Sequence, residues 1–166
     1  MSRLKNYSNE CGSYFFTTKT SGGRNLLQRA QWAELLESIL FEYRDAGEYL
    51  VHHYVIMPNH FHLLATTARA ERPAKVMQLI KGRFSFELKK QFGVRWSPWQ
   101  EGFAGRQILT SDQFHAAARY IERNPVEAHL CDSPQQYPFS SNNGKRTLDG
   151  MPEFGAKAPK TGEVAV

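Results

Sequence analysis

Tyr49-Leu50-Val51-His52-His53-Tyr54-Val55-Ile56-Met57, then Pro58-Asn59, then His60-Phe61-His62-Leu63-Leu64-Ala65-Thr66-Thr67 read as a strand, a two-residue turn and a second strand. Side chains alternate faces along a strand, so a tight turn decides the whole pairing. It sets Met57 opposite His60, Val55 opposite His62 and His53 opposite Leu64, all on one face. Tyr54, Ile56, Phe61 and Leu63 share the other face, which is the better core, and the same alternation assigns His52 to it. His60 and His62 therefore present two imidazoles side by side, away from the helices that cover the core and with room for a substrate. Neutral imidazoles on a rigid strand suit a divalent metal ion. A His-x-His pair on a polar strand face also arises by chance, so the rest of the chain has to arbitrate.

Upstream, residues 13–20 are β-branched and aromatic and predict a first strand, broken by Gly22-Gly23. Asn25, with Gln28 three residues on, is a capping box for a helix whose apolar stripe is Trp32, Leu35, Leu36, Ile39, Leu40 and Tyr43, ending at Gly47. Downstream, Pro73 opens a second helix carrying Val76, Leu79, Ile80, Phe84, Leu88 and Phe92 at helical spacing. Gly82 inside it suggests a close approach by another backbone. Gln100 to Leu109 is irregular and ends in a last strand at Gln107-Ile108-Leu109. Thr110 with Gln113 caps a third helix through Phe114, Ala117, Ala118 and Ile121. Strand-helix-strand-strand-helix-strand is the ferredoxin-like order, an α+β fold with an antiparallel sheet, helices on one face and one additional helix. Residues 1–142 form a single domain in this reading, and residues 143–166, poor in large apolar side chains, a flexible tail.

The chain has 166 residues, 41% hydrophobic and 22% charged, with a net charge of +5, enough length for a real core and a balance that suits a polyanionic partner. Cys11 and Cys131 form no C-x-x-C pair, the N-terminus is polar, and no apolar run nears the roughly 20 residues of a membrane span. A soluble cytoplasmic protein, without membrane or nucleotide cofactor, is the expectation.

The block Ala118-Arg119-Tyr120-Ile121-Glu122-Arg123-Asn124-Pro125-Val126, taken with His-Phe-His, resembles the single-tyrosine HUH transposases, and more narrowly the REP-associated tyrosine transposases of bacteria. Gly12 to Thr17, Val55 to Asn59, Ile80 to Ser85, Trp99 to Phe103 and Tyr137 to Ser141 agree in order, so the resemblance covers roughly residues 11–141. It implies the ferredoxin-like architecture with Tyr120 as nucleophile on the additional helix, a divalent ion (Mg²⁺ or Mn²⁺) held by His60, His62 and an amide or acid at the position of Asn124, and a 5′-phosphotyrosine intermediate. It also implies a single-stranded or hairpin DNA substrate of the kind found in repetitive extragenic palindromes. After Phe103 the resembled proteins have another aromatic and then an acid or histidine, where this chain reads Ala104-Gly105-Arg106.

The chemistry is coherent. A phenolate that attacks phosphorus stores the broken linkage covalently. A phenol of ordinary pKa near 10 needs help at pH 7, which a Lewis acid on the phosphate supplies. Asn124 has two readings, a third ligand four residues after Tyr120 or an N-cap for Pro125-Val126-Glu127. Arg3, Lys5, Lys81, Arg83 and Arg95 are candidate phosphate contacts, and Trp96 and Trp99 candidate stacking platforms. Two rivals stand beside the transferase: a metal-dependent phosphodiesterase that uses water, and a non-catalytic RRM-like binding module. Whether the protein is a monomer or a homodimer stays open.

Overall fold

The structure is a computed structural model and describes residues 11–67 and 73–154. Four strands, β1 (Ser13–Lys19), β2 (Tyr49–Met57), β3 (His60–Thr67) and β4 (Ala104–Ile108), form one sheet in the order β2-β3-β1-β4. Every neighbouring pair is antiparallel, which is the ferredoxin-like arrangement. The helices α1 (Ala30–Asp45) and α2 (Pro73–Phe92) join β1 to β2 and β3 to β4, and their buried stripes share one core with Phe16, Tyr54, Ile56, Phe61 and Leu63. Each large side chain buried there contributes roughly 1.5–3 kcal/mol. The helix α3 (Ser111–Glu127) lies on the opposite face, over β2 and β3, where Phe114, Ala117, Ala118 and Ile121 pack on Val55, Met57 and Leu64.

The hairpin has the expected pairs, Met57 with His60, Val55 with His62 and His53 with Leu64. Beyond His53 the register shifts, so that Val51 pairs with Ala65 and His52 is the extra residue of a β-bulge. The bulge overturns the assignment of His52 to the main core. Its ring packs against Phe114 of α3 together with that of His53, and its two nitrogens bond Thr66 Oγ1 and the Asp149 carbonyl.

Three further expectations are corrected. Asn25 precedes only a short 3-10 turn, Leu26–Gln28, and makes no side-chain cap, because α1 starts later, at Ala30. At Gly82 a Cβ would meet open space, so no backbone approaches it. The chain beyond residue 142 is anchored as far as Phe154. Arg44 makes a bidentate pair with Asp149, whose carboxylate also accepts from Val51 N–H, and Arg146 bonds Glu37 beside the Tyr54 hydroxyl. Phe154 packs on Phe114. These bonds run along the outer edge of β2 and cover it, while β4 stays largely exposed at the other edge.

Candidate functional site

The register of β1 against β3 sets Thr17 beside His62, Lys19 beside His60 and Phe15 beside Leu64. On the face shared with α3, the two histidine rings lie 4.8 Å apart between centroids, at 74°. Each is fixed through Nδ1. His60 Nδ1 lies 2.7 Å from Asn59 Oδ1, and His62 Nδ1 lies 2.8 Å from Thr17 Oγ1. The Asn59 amide oxygen only accepts, so His60 carries its proton on Nδ1 and keeps the lone pair on Nε2. His62 Nε2 is buried and has no hydrogen-bond partner among the described residues. Outer partners that hold one ring nitrogen and free the other are how proteins prepare histidines for a metal.

Electrostatics favour the neutral, ligating form. Burial, and then the neighbouring His60, push His62 down to about 3. His60 is also lowered, first by burial and then by Lys19, against which a hydrogen bond accepted by the Asn124 side chain acts in part. His60, His62 and the Asn124 amide thus offer two ring nitrogens and one amide, a donor set whose chemistry fits a divalent cation.

Tyr120 and Asn124 reach this point from α3. Thr110 caps the helix by accepting from Gln113 N–H, while Gln113 Oε1 accepts from Leu109 N–H rather than from Thr110. Four residues apart, Tyr120 and Asn124 share one helix face. The N-cap reading of Asn124 is overturned, because α3 continues through Pro125 to Glu127. Pro125 falls in the last turn, where the helix forgoes the bond that an N–H would make to the Ile121 carbonyl, and Ala128 N–H returns to the Asn124 carbonyl. Tyr120 meets His62 edge-on, 5.2 Å between centroids at 75°, while Phe15 stacks on His62 at 5.2 Å and meets Tyr120 edge-on at 5.8 Å. His62 is 4% exposed beneath them and Tyr120 49%. The room expected around His62 is therefore largely taken up, and the phenol is the part of the site that solvent reaches.

Beside Tyr120 a cleft of about 470 Å³ opens between β4 and α3, lined by Phe15, Thr17, Ala104, Arg106, Ala117 and Tyr120 among others. Sequence reasoning assigned no role to Phe15, Thr17, Lys19, Asn59 or Arg106. Phe15, Thr17 and Asn59 stand inside the quoted blocks, but their function comes from cross-strand pairing rather than from any local pattern.

The proposed DNA contacts fare unevenly. Arg3 and Lys5 lie outside the described residues. Trp99 is buried, packs on Phe61 and Phe84, and donates its Nε1–H to the Lys81 carbonyl, so it is a core residue and not a stacking platform. The Lys81 ammonium is engaged by the carbonyls of Gln100 and Gly102, which ties that loop to α2. Arg83 pairs with Glu87. Arg95 is exposed, and Trp96 is 43% exposed with the Arg24 guanidinium stacked 4.5 Å from its centroid. Among the described residues no helix is long and apolar enough to cross a membrane.

A family model described as "Transposase IS200 like" matches residues 13–124. Among solved structures, that of a REP-associated tyrosine transposase bound to a REP hairpin aligns with a TM-score of 0.68 at 20% identity, over 100% of this chain and 99% of that one. A chain described as a transposase from Deinococcus radiodurans R1 aligns with a TM-score of 0.50 at 17% identity, over 67% of this chain and 88% of that one. No curated protein matches in sequence.

Proposed function

This chain belongs to the IS200-like transposase family, enzymes that cut and transfer DNA, and we propose that it nicks single-stranded DNA and passes the strand on through a covalent bond to Tyr120. The observation that carries the reading is the convergence of the Tyr120 ring, the unpartnered Nε2 of His62 and the His60–Asn124 contact on one face. His60, His62 and Asn124 would hold a Mg²⁺ or Mn²⁺ ion, which when bound polarises the scissile phosphate. Tyr120 Oη forms a bond to phosphorus as the bond to the 3′ oxygen breaks, giving a 5′-phosphotyrosine and a 3′ hydroxyl that can later reverse the step. His62, as a ligand, has its lone pair engaged and does not take the phenol proton, which passes to the solvent that Tyr120 reaches.

A hairpin with a single-stranded flank is the substrate this reading supports. The solved structure of similar fold carries a REP hairpin, and an unpaired strand bends into the site, whereas a duplex must first be opened at a cost of a few kcal/mol. The test is cleavage of an end-labelled REP-type hairpin against a fully paired duplex of the same sequence, with Mg²⁺ or Mn²⁺ and with EDTA. Metal-dependent cutting confined to the single-stranded flank is expected. Equal cutting of both substrates, or undiminished cutting in EDTA, contradicts the proposal.

A further inference from the structure

Arg106 is where this chain departs from the pattern it otherwise resembles, and the fold gives that departure a location. On β4 it pairs with Phe15 of β1, and its guanidinium carbon lies 5.8 Å from the Phe15 ring, at the cleft beside Tyr120. Thr17, the partner of His62, is two residues further along β1, and exposed Lys19, the partner of His60, two further again. Arg106 and Lys19 thus stand on one face, Arg106 one row beyond His62 and Lys19 level with His60, about 14 Å apart along the strand at about 3.4 Å per residue.

The cleft beside Arg106 has the right shape. Ala104, Ala116 and Ala117 are small and leave the gap between β4 and α3 unfilled, and the open volume of about 470 Å³ lies within the roughly 300–1,000 Å³ typical of sites that take small organic groups. Phe15 and the half-exposed Tyr120 supply apolar walls, and Arg106 supplies a fork of N–H donors suited to a phosphate.

We propose that this cleft seats the nucleotide next to the cleaved linkage, with Arg106 gripping its phosphate and Lys19 meeting the backbone on the far side of the cut. The idea rests on the reading of Tyr120 as the strand-cutting residue. It makes Arg106 a positioning residue that sets where the single strand lies relative to that phenol.

The test pairs protein and DNA changes in the full-length chain. In a Tyr120→Phe background, binding of a REP-type hairpin with a single-stranded flank is measured while each flank phosphate in turn is replaced by a neutral methylphosphonate. One position should weaken binding about tenfold when Arg106 is present and have no effect in Arg106→Gln, whereas Lys19→Gln should lose its sensitivity at a different position, across the cut. Arg106→Gln should also lower the salt dependence of binding by about one charge, and Arg106→Lys should restore part of it. In parallel, chain retaining Tyr120 is assayed for the covalent adduct. Binding with undiminished phosphate sensitivity in Arg106→Gln overturns the cleft assignment, while adduct formation leaves the strand-transfer reading standing. Coupling at Arg106 without any adduct supports the subsite and contradicts the nucleophile. Failure to bind the oligonucleotide at all overturns both.

Discussion

The ring of Tyr120 meets the ring of His62 edge-on across the gap between α3 and the sheet, with centroids 5.2 Å apart, and both touch Phe15. An exposed phenol on a helix is thereby referenced to a buried imidazole on a strand. The relation depends on the cap at Thr110, which sets the start of α3, and on the register of β1 against β3, which brings Thr17 to His62. Phe15 closes the arrangement, so neither ring turns without displacing another.

The histidines and Asn124 should act as one unit. His60→Ala or His62→Ala is expected to abolish metal-dependent cleavage while sparing hairpin binding, which rests on phosphate and base contacts. Asn124→Ala should weaken Mn²⁺ binding and cleavage by about 10- to 100-fold. Titration with Mn²⁺, alongside cleavage and gel-shift assays, checks all three. Wild-type Mn²⁺ affinity in His62→Ala would contradict the assignment.

Thr17 is a test of orientation rather than ligation. Thr17→Val removes the hydroxyl 2.8 Å from His62 Nδ1 at nearly constant volume. Loss of such an outer partner costs about 10- to 100-fold in metal affinity or activity. The measurement is the Mn²⁺ dissociation constant, with thermal unfolding to show that the sheet is intact, and Thr17→Ser should recover most of the affinity.

The segment around Asp149 should matter to stability. Its carboxylate holds Arg44 through two bonds and Val51 N–H through a third, with both charged side chains largely buried. Asp149→Ala leaves the Arg44 guanidinium without its bidentate partner and should destabilise the fold by about 3 kcal/mol in urea unfolding. A change below about 0.5 kcal/mol would show that the segment merely lies on the sheet.

Stability should also fall in acid, in two stages. Burial holds His52 below the usual histidine range, outweighing the Asp149 carbonyl and charge, which raise it. The unfolded chain therefore takes up a proton as pH drops below about 6.5 while the folded chain does not, so this contribution is present above about pH 6.5 and declines below it. Burial alone would raise Asp149, but its bonds to Arg44 and Val51 bring it net below the ordinary carboxylate value. Its contribution is thus present above about pH 3.9 and is lost as pH falls through the lowered value. Unfolding free energy measured against pH in EDTA should show both limbs, and His52→Gln should flatten the upper one. An unchanged slope in that variant would contradict the burial argument.

Much of the site was legible in the sequence because a two-residue turn and strict alternation leave one parity for the hairpin. Met57–His60 and Val55–His62 follow from that alone. His52 escaped because a bulge inserts one residue and reverses parity beyond it, and no residue type announces a bulge there. Trp99 was misread because an irregular backbone does not imply an exposed side chain; a bond from its indole N–H to the Lys81 carbonyl allows it to be buried. The anchored segment past residue 142 gave no periodic signal, since Asp149 and Arg146 are held by charges far away in the chain. Asn124 before Pro125 kept an N-cap reading beside the ligand one, and that reading falls only once α3 is seen to continue through Pro125 to Glu127.

The most direct measurement is the identity of the atom joined to DNA. Incubation of the protein with a REP-type hairpin carrying a single-stranded flank and Mg²⁺ or Mn²⁺, followed by denaturing electrophoresis and peptide mass spectrometry, should give an adduct on the peptide containing Tyr120. Tyr120→Phe should bind the same hairpin, form no adduct and cut at least about a thousandfold more slowly. Cleavage at wild-type rate by Tyr120→Phe, with no protein–DNA adduct in either protein, would mean that water is the nucleophile and that the pairing of Tyr120 with His62 serves another purpose.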